Sequence, residues 1–160
     1  MARRRSFEAM NCSIARALDV LGEWWTLLIV RESFRGVRRF DAFVERLGIA
    51  PNILTARLRK LVEHGVLEER PYSDRPLRVE YRLTPKGRDL YPILVALLSW
   101  GDRWYAEDGP PVELIHMTCE HRADPKLVCG HCGEKLDPRR TRAVPSRGAD
   151  EPEPSLATAR

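Results

Sequence analysis

The sequence lacks a run of apolar residues long enough to cross a bilayer. Its longest candidate, residues 24–30, is closed by Arg31 and Glu32, far short of the ~20 residues a spanning helix needs. Cysteine is scarce, with four in 160 residues, too few for the disulfide framework of a secreted scaffold. Neither sign of charge dominates, since 27 Lys and Arg against 23 Asp and Glu leave a net charge of +4. That balance suits a polyanion partner without demanding one. The signatures of common enzymes are missing too: there is no G-x-S-x-G, P-loop, H-E-x-x-H or dinucleotide fingerprint, so no catalytic role is expected. Met1-Ala2-Arg3-Arg4-Arg5 has the charge of a signal n-region, but no apolar core or cleavage site follows it; a cytoplasmic protein with no membrane partner is expected. No internal repeat is evident.

What is present is enough for one domain and an appendage: 43% of the residues are hydrophobic, and their spacing is mostly helical. Ile14, Ala17, Leu18 and Leu21 mark a first helix capped at Ser13 and closed by Gly22. A second is predicted over residues 23–32, and a third through Phe40, Phe43, Val44 and Leu47 to a stop at Gly48. Pro51 suits the first turn of a fourth helix, whose stripe of Leu54, Leu58 and Leu61 ends near Gly65. Helix, glycine-containing turn and helix make a helix-turn-helix signature. Residues 66–70 and 78–83 read as two strands, with Pro71, Ser73, Asp74 and Pro76 as their turn. Thr84-Pro85 then opens one long helix through Leu90, Leu94, Leu97, Leu98, Trp104 and Tyr105, bent at Pro92. The expected class is mainly α with a small β-hairpin, in three parts: residues 1–108, a Cys/His knuckle over 109–137, and a disordered tail over 138–160 whose composition has little to bury.

On the fourth helix, Asn52, Thr55, Ala56, Arg59 and, at the edge, Lys60 lie away from the leucine stripe. Taken alone, this is an ordinary solvated face. Its neighbourhood changes the reading, because residues 51–88 carry nine Lys or Arg against five Asp or Glu. Arginine and lysine can contact guanine, asparagine can contact adenine, and a small alanine permits close approach to a base edge. Arg75 at the hairpin tip suits a narrow minor groove, although it reads equally well as an exposed arginine paired with Asp74. Arg78, Arg82 and Lys86 then become phosphate neighbours, adding affinity and salt dependence rather than sequence choice.

Several segments together resemble one family: Cys12-Ser13-Ile14-Ala15, Leu21-Gly22-Glu23-Trp24-Trp25-Thr26-Leu27-Leu28-Ile29, Arg38-Arg39-Phe40, Leu54-Thr55-Ala56-Arg57-Leu58-Arg59-Lys60-Leu61 and Val79-Glu80-Tyr81-Arg82-Leu83-Thr84-Pro85-Lys86-Gly87. This ordered set, covering residues 10–105, is similar to the HxlR-type bacterial regulators. The resemblance implies a winged helix-turn-helix homodimer on double-stranded DNA, with the first and last helices at the dimer interface and the fourth in the major groove. A palindromic operator and repression are the corresponding expectations. Two departures stand out, Cys12-Ser13 where the family often has Cys-Pro and Trp24 where it usually has a basic residue.

Some members that the chain resembles sense oxidants through a cysteine at the place of Cys12. A helix start beside Arg16 would favour its thiolate, while the missing proline favours a small buried apolar residue instead. The effector is thus open between an oxidant and a small molecule. Trp24, Trp25, Trp100 and Trp104 read as core and interface rather than as a ligand pocket.

Beyond residue 109, His116-x2-Cys119 and Cys129-x2-Cys132 form two pairs nine residues apart. Tetrahedral zinc accepts thiolate and imidazole, and two tight turns deliver four ligands at low entropic cost. His121 and His131 compete with His116 for the fourth position. Such a closed site is structural, with no open position for water. Two other functions stay in view: a winged-helix module for protein contact that presents the knuckle, and a thiol-redox protein using Cys129 and Cys132.

Overall fold

The computed structural model describes residue 7 and residues 10–144, and divides between Leu94 and Val95 into two compact units. The first begins with α1 (Ser13–Leu21), α2 (Trp24–Phe34), α3 (Phe40–Leu47) and α4 (Pro51–Glu63). An antiparallel hairpin follows, β1 (Leu67–Asp74) with β2 (Leu77–Leu83), and then α5 (Pro85–Arg88) and the start of α6 (Tyr91–Tyr105). The second unit carries the rest of α6 and a short hairpin of β3 (Ile115–His116) with β4 (His121–Arg122).

One core organises the first unit. Ile29 and Val30 of α2, Phe43 of α3, the Leu54, Leu58 and Leu61 stripe of α4, and Val66 and Leu67 at the start of the hairpin are all buried together, with Leu90 and Leu94 packed at its edge. The turn between α3 and α4 is set by Gly48, which closes α3 in the left-handed region at φ 62°, a conformation that costs other residues strain. Ile49 then buries its side chain, and Pro51 opens α4 at a position where a missing N–H is harmless.

A carboxylate is buried beside this core. Glu32 accepts from Arg31 (2.9 Å), Arg35 (3.1 Å) and Arg46 (2.7 Å), tying α2 to the last turn of α3. Burial pushes its pKa up, but the hydrogen bonds from Arg46 and Arg31 and the charges of Arg31 and Arg35 outweigh that and hold it below the ordinary carboxylate range.

Four expectations change. The cap of α1 is Cys12, not Ser13, which is already helical. The hairpin is longer than predicted, with Pro71, Ser73 and Asp74 inside β1 and only Arg75-Pro76 turning. In a two-stranded ribbon both strands are edges, so a proline can face outward, and the irregularity between Pro71 and Ser73 loops Tyr72 out of register. The single bent helix after Thr84 is two helices interrupted at Asp89 and Leu90. Pro92 is the cause: its ring crowds the carbonyl four residues earlier and offers no N–H, so it opens α6 instead of bending a longer helix.

The fourth change is a repeat. Residues 114–123 and 127–136 share one backbone pattern, with Ala123 N–H donating to Leu114 (2.7 Å) and Leu136 N–H to Leu127 (3.0 Å). Ile115 pairs with Arg122 in one, and Val128 with Lys135 in the other. Of the tail expected to be disordered, residues 145–160 lie outside the described residues; 138–144 form a turn held by Arg140 N–H on Asp137 (2.9 Å) and a short extension. No helix among the described residues is long and apolar enough to cross a membrane.

Candidate nucleic-acid interface

Helix α4 has two faces because its sequence has two. Leu54, Leu58 and Leu61 are buried, while Asn52, Thr55, Ala56 and Arg59 are exposed on the turns between them. Thr55 donates its hydroxyl proton to the Pro51 carbonyl (2.8 Å), leaving the oxygen's acceptor side outward. Arg59 is 79% exposed and bonded to Glu63 one turn on (2.7 Å). That pairing raises its pKa through the hydrogen bond and then the charge of Glu63. An exposed pair of this kind is screened by solvent and weak, so it yields readily to a stronger anion.

The other expected contacts divide into two groups. Arg75 at the two-residue turn and Arg78 beside it are exposed. Lys60, Arg82 and Lys86 are already engaged within the chain. The Lys60 ammonium donates to the Asp19 carbonyl of α1, Arg82 forks onto Glu80 (Nε–Oε1 2.7 Å), and Lys86 donates to the His64 carbonyl just past α4 (2.8 Å). Their backbone and carboxylate partners show that the head of a long cation goes to the nearest strong acceptor. Next to Lys86, Gly87 packs so closely that a Cβ would stand 2.2 Å from the Val66 carbonyl. Thr84 fixes this junction by donating to the Gly65 carbonyl (2.6 Å) and accepting from Gly87 N–H (3.0 Å).

Two contacts that the sequence reading missed tie elements of the first unit together. The Arg39 guanidinium lies 4.6 Å from the centre of the Tyr72 ring, a cation–π contact between the cap of α3 and the looped-out residue of β1. Arg57, on the half-buried flank of α4, pairs with Glu23 at the cap of α2 (2.9 Å) and fixes the helix rather than facing outward. An aromatic near the tip of a basic hairpin was the available signal for the first; nothing in the spacing marks the second.

Cys12 is half-buried at the cap of α1. Of the tryptophans, Trp25 packs on the core, but Trp24 (91%) and Trp104 (65%) are exposed, as is Trp100, which is in ring contact with Tyr105. Among the described residues these three form no buried core. In the second unit His116 Nδ1 lies 3.3 Å from Cys119 Sγ. Backbone N–H groups of Cys132 and then His131, followed by the Cys132 side chain, lower the pKa of Cys129. Each pair is therefore formed, yet among the described residues no three His, Cys, Asp or Glu side chains gather closely enough to hold a metal ion.

A buried-stripe helix after a tight turn, followed by a basic hairpin, defines a winged helix-turn-helix protein of the transcription-regulator class, not an enzyme. The profile of the HxlR-like helix-turn-helix family matches residues 20–109, and the chain belongs to that family. An HTH-type transcriptional regulator of Mycobacterium tuberculosis, Rv3095, is 50% identical over 137 residues, 85% of this chain and 87% of its own. The solved structure of PA1607, assigned as a transcription factor, superposes with a TM-score of 0.80 at 41% identity, covering 89% of this chain and all of that one. Spans this long take in residues 110–137, beyond the family profile. The reduced form of the redox regulator HypR matches less of the chain, 61%, with 99% of its own length, at 32% identity and a TM-score of 0.54.

Proposed function

We propose that the protein is a sequence-specific repressor that binds a palindromic operator as a homodimer, with α4 in the major groove. The observation that carries this is the exposed polar face of α4 opposite a fully buried leucine stripe. Asn52, Thr55, Ala56 and Arg59 read base edges; Arg75 and Arg78 reach the flanking groove and backbone. Lys60, Arg82 and Lys86, tethered at their heads, add positive potential near phosphates rather than base contacts. Repression follows where the operator overlaps a promoter, because a dimer seated in two grooves excludes polymerase. Such a protein works in the compartment that holds the chromosome, the cytoplasm.

Dimerisation is supported by apolar faces that the chain leaves uncovered: Ile14 and Leu18 on α1, and Leu97, Trp100 and Trp104 on α6 are exposed. Faces of this kind mark association surfaces. An oxidant effector acting through Cys12 is supported by its place at a helix start and by kinship with a redox regulator.

Selection of bound fragments from genomic DNA, then footprinting over a salt series, tests the reading. Protection of two half-sites about one helical turn apart, or a multiple of it, is expected, with affinity falling steeply as salt rises. A monomer protecting one half-site removes the dimer. Association that ignores salt and DNA sequence favours a protein-contact module instead.

A further inference from the structure

The repeat in the second unit extends to chemistry. Aligning residues 114–123 with 127–136 puts Leu114 on Leu127, Ile115 on Val128, His116 on Cys129, Cys119 on Cys132, Glu120 on Gly133 and Arg122 on Lys135. The turns match in detail. Glu120 N–H donates to the His116 carbonyl at 2.8 Å, and Gly133 N–H to the Cys129 carbonyl at 2.8 Å. The residue after the second member of each pair is left-handed in both, with φ 56° at Glu120 and 72° at Gly133. Glu120 is the one non-glycine with positive φ among the described residues, so the first turn keeps this shape against the preference of its side chain.

Burial cannot be what maintains two such turns. Ile115, Met117, Leu127, Val128 and Leu136 are all exposed, and no residue of the segment is fully buried. A segment that orders tight turns without an apolar core needs another source of folding free energy, and metal ligation supplies it. We propose that residues 114–136 form a two-knuckle zinc site, with His116 and Cys119 from the first turn and Cys129 and Cys132 from the second.

The repeat selects the fourth ligand, which spacing alone left open among three histidines. His116 occupies the place of Cys129; His121 and His131 fall at positions whose counterparts are Glu134 and Thr118. His121 is moreover turned to the Cys119 carbonyl through Nδ1. The observed 3.3 Å between His116 Nδ1 and Cys119 Sγ is close to the about 3.6 Å separating nitrogen and sulfur on one tetrahedral zinc, from ordinary bond lengths. Three thiolates and one imidazole favour zinc over harder divalent ions. With four protein ligands the site is closed, so its role is structural. The ion has to draw the two pairs onto itself, and that closure is measurable.

Full-length protein purified under reducing conditions without a metal-affinity tag should contain one zinc per chain by elemental analysis. Cobalt exchanged for the zinc should give the visible bands of a tetrahedral site and the charge-transfer intensity of three thiolates. His116→Ala should lose cobalt or zinc to a chelator at least tenfold more readily, while His121→Ala and His131→Ala match the native chain. Glu120→Gly, which relieves the left-handed residue, should hold zinc several-fold more tightly. Far-UV circular dichroism and thermal unfolding of each variant report on the first unit, which should be unchanged. Zinc absent from the native chain, or retained in full by Cys129→Ser, overturns the site. Full retention by His116→Ala overturns the repeat-based ligand set.

Discussion

The two units answer the same question, what holds a short chain in one shape, in opposite ways. Up to Leu94 the answer is apolar burial: ten side chains share one core, and even the buried Glu32 is matched by three guanidinium groups. Beyond Val95 the described residues include none that is fully buried, and order resides in turns and backbone hydrogen bonds. Burial makes a unit tolerant of conditions and intolerant of volume changes. With the proposed zinc bound, the second unit reverses both, since its stability then follows pH, thiol state and metal supply. A regulator built this way would keep the helix proposed to read DNA firm while the appended segment, on the proposed zinc, responds to the chemistry around it.

The contrast is tested most severely by matched deletions of a leucine. Leu58→Ala, in the centre of the stripe, should cost the first unit about 2–5 kcal/mol. Leu127→Ala, at a residue 74% exposed, should change unfolding by no more than about 0.5 kcal/mol. Denaturant unfolding followed by tryptophan fluorescence and circular dichroism measures both. Comparable losses would mean that the second unit has a core of its own.

Glu32 sharpens the comparison with a pH dependence that belongs to the first unit. Its pKa is lowered in the folded chain, so the stability it contributes is present above the unfolded carboxylate value of about 4.3 and is lost as pH falls through the lower folded value. Glu32→Gln should therefore cost about 1–3 kcal/mol at neutral pH, because three arginines lose a charged acceptor. The gap between variant and native protein should close as acid is added. A gap of constant size from pH 7 to pH 3 would place the acid sensitivity elsewhere.

Within α4 the comparison runs across one helix. Arg59→Ala on the outer face should leave unfolding unchanged and cost about 1–3 kcal/mol in operator binding, with preference flattened at one base position. Binding curves on the selected operator and its single-base variants read this directly. Unchanged affinity and preference would remove Arg59 from the reading set.

The legible part of the molecule was the part made by periodicity. The α4 stripe, the stop at Gly48 and the proline at the head of α4 all have local causes, and the structure repeats them residue for residue. Pro71 misled because the rule against strand prolines assumes a neighbour on each side, which a two-stranded ribbon does not have. The break before α6 was read as a bend, since Pro92 marks where a helix is disturbed without saying whether it survives. The heads of Lys60 and Lys86 go to carbonyls brought near by tertiary folding, at sequence separations of 41 and 22, whereas Arg82 takes the carboxylate of Glu80 two residues away on its own strand. The repeat escaped because its halves share backbone geometry and ligand places but few identical residues, with a histidine standing where the second half has a cysteine.

Cys12 sets the first unit's thiol against the three of the second, and the expected effect is the smallest. Oxidation adds a polar oxygen to a half-buried side chain at the head of α1, a disturbance of about 1 kcal/mol. It can reach α4 through two ties: Lys60 of α4 donates to the Asp19 carbonyl of α1, and Arg57 of α4 pairs with Glu23, which follows α1 by two residues (2.9 Å). Mild peroxide or a quinone should thus weaken operator binding by the native protein about fivefold, and leave Cys12→Ser unaffected. Zinc content followed in the same samples separates the two groups of thiols. Equal loss of binding in both proteins, accompanied by zinc release, would assign the response to Cys119, Cys129 and Cys132 and leave Cys12 as a half-buried packing residue.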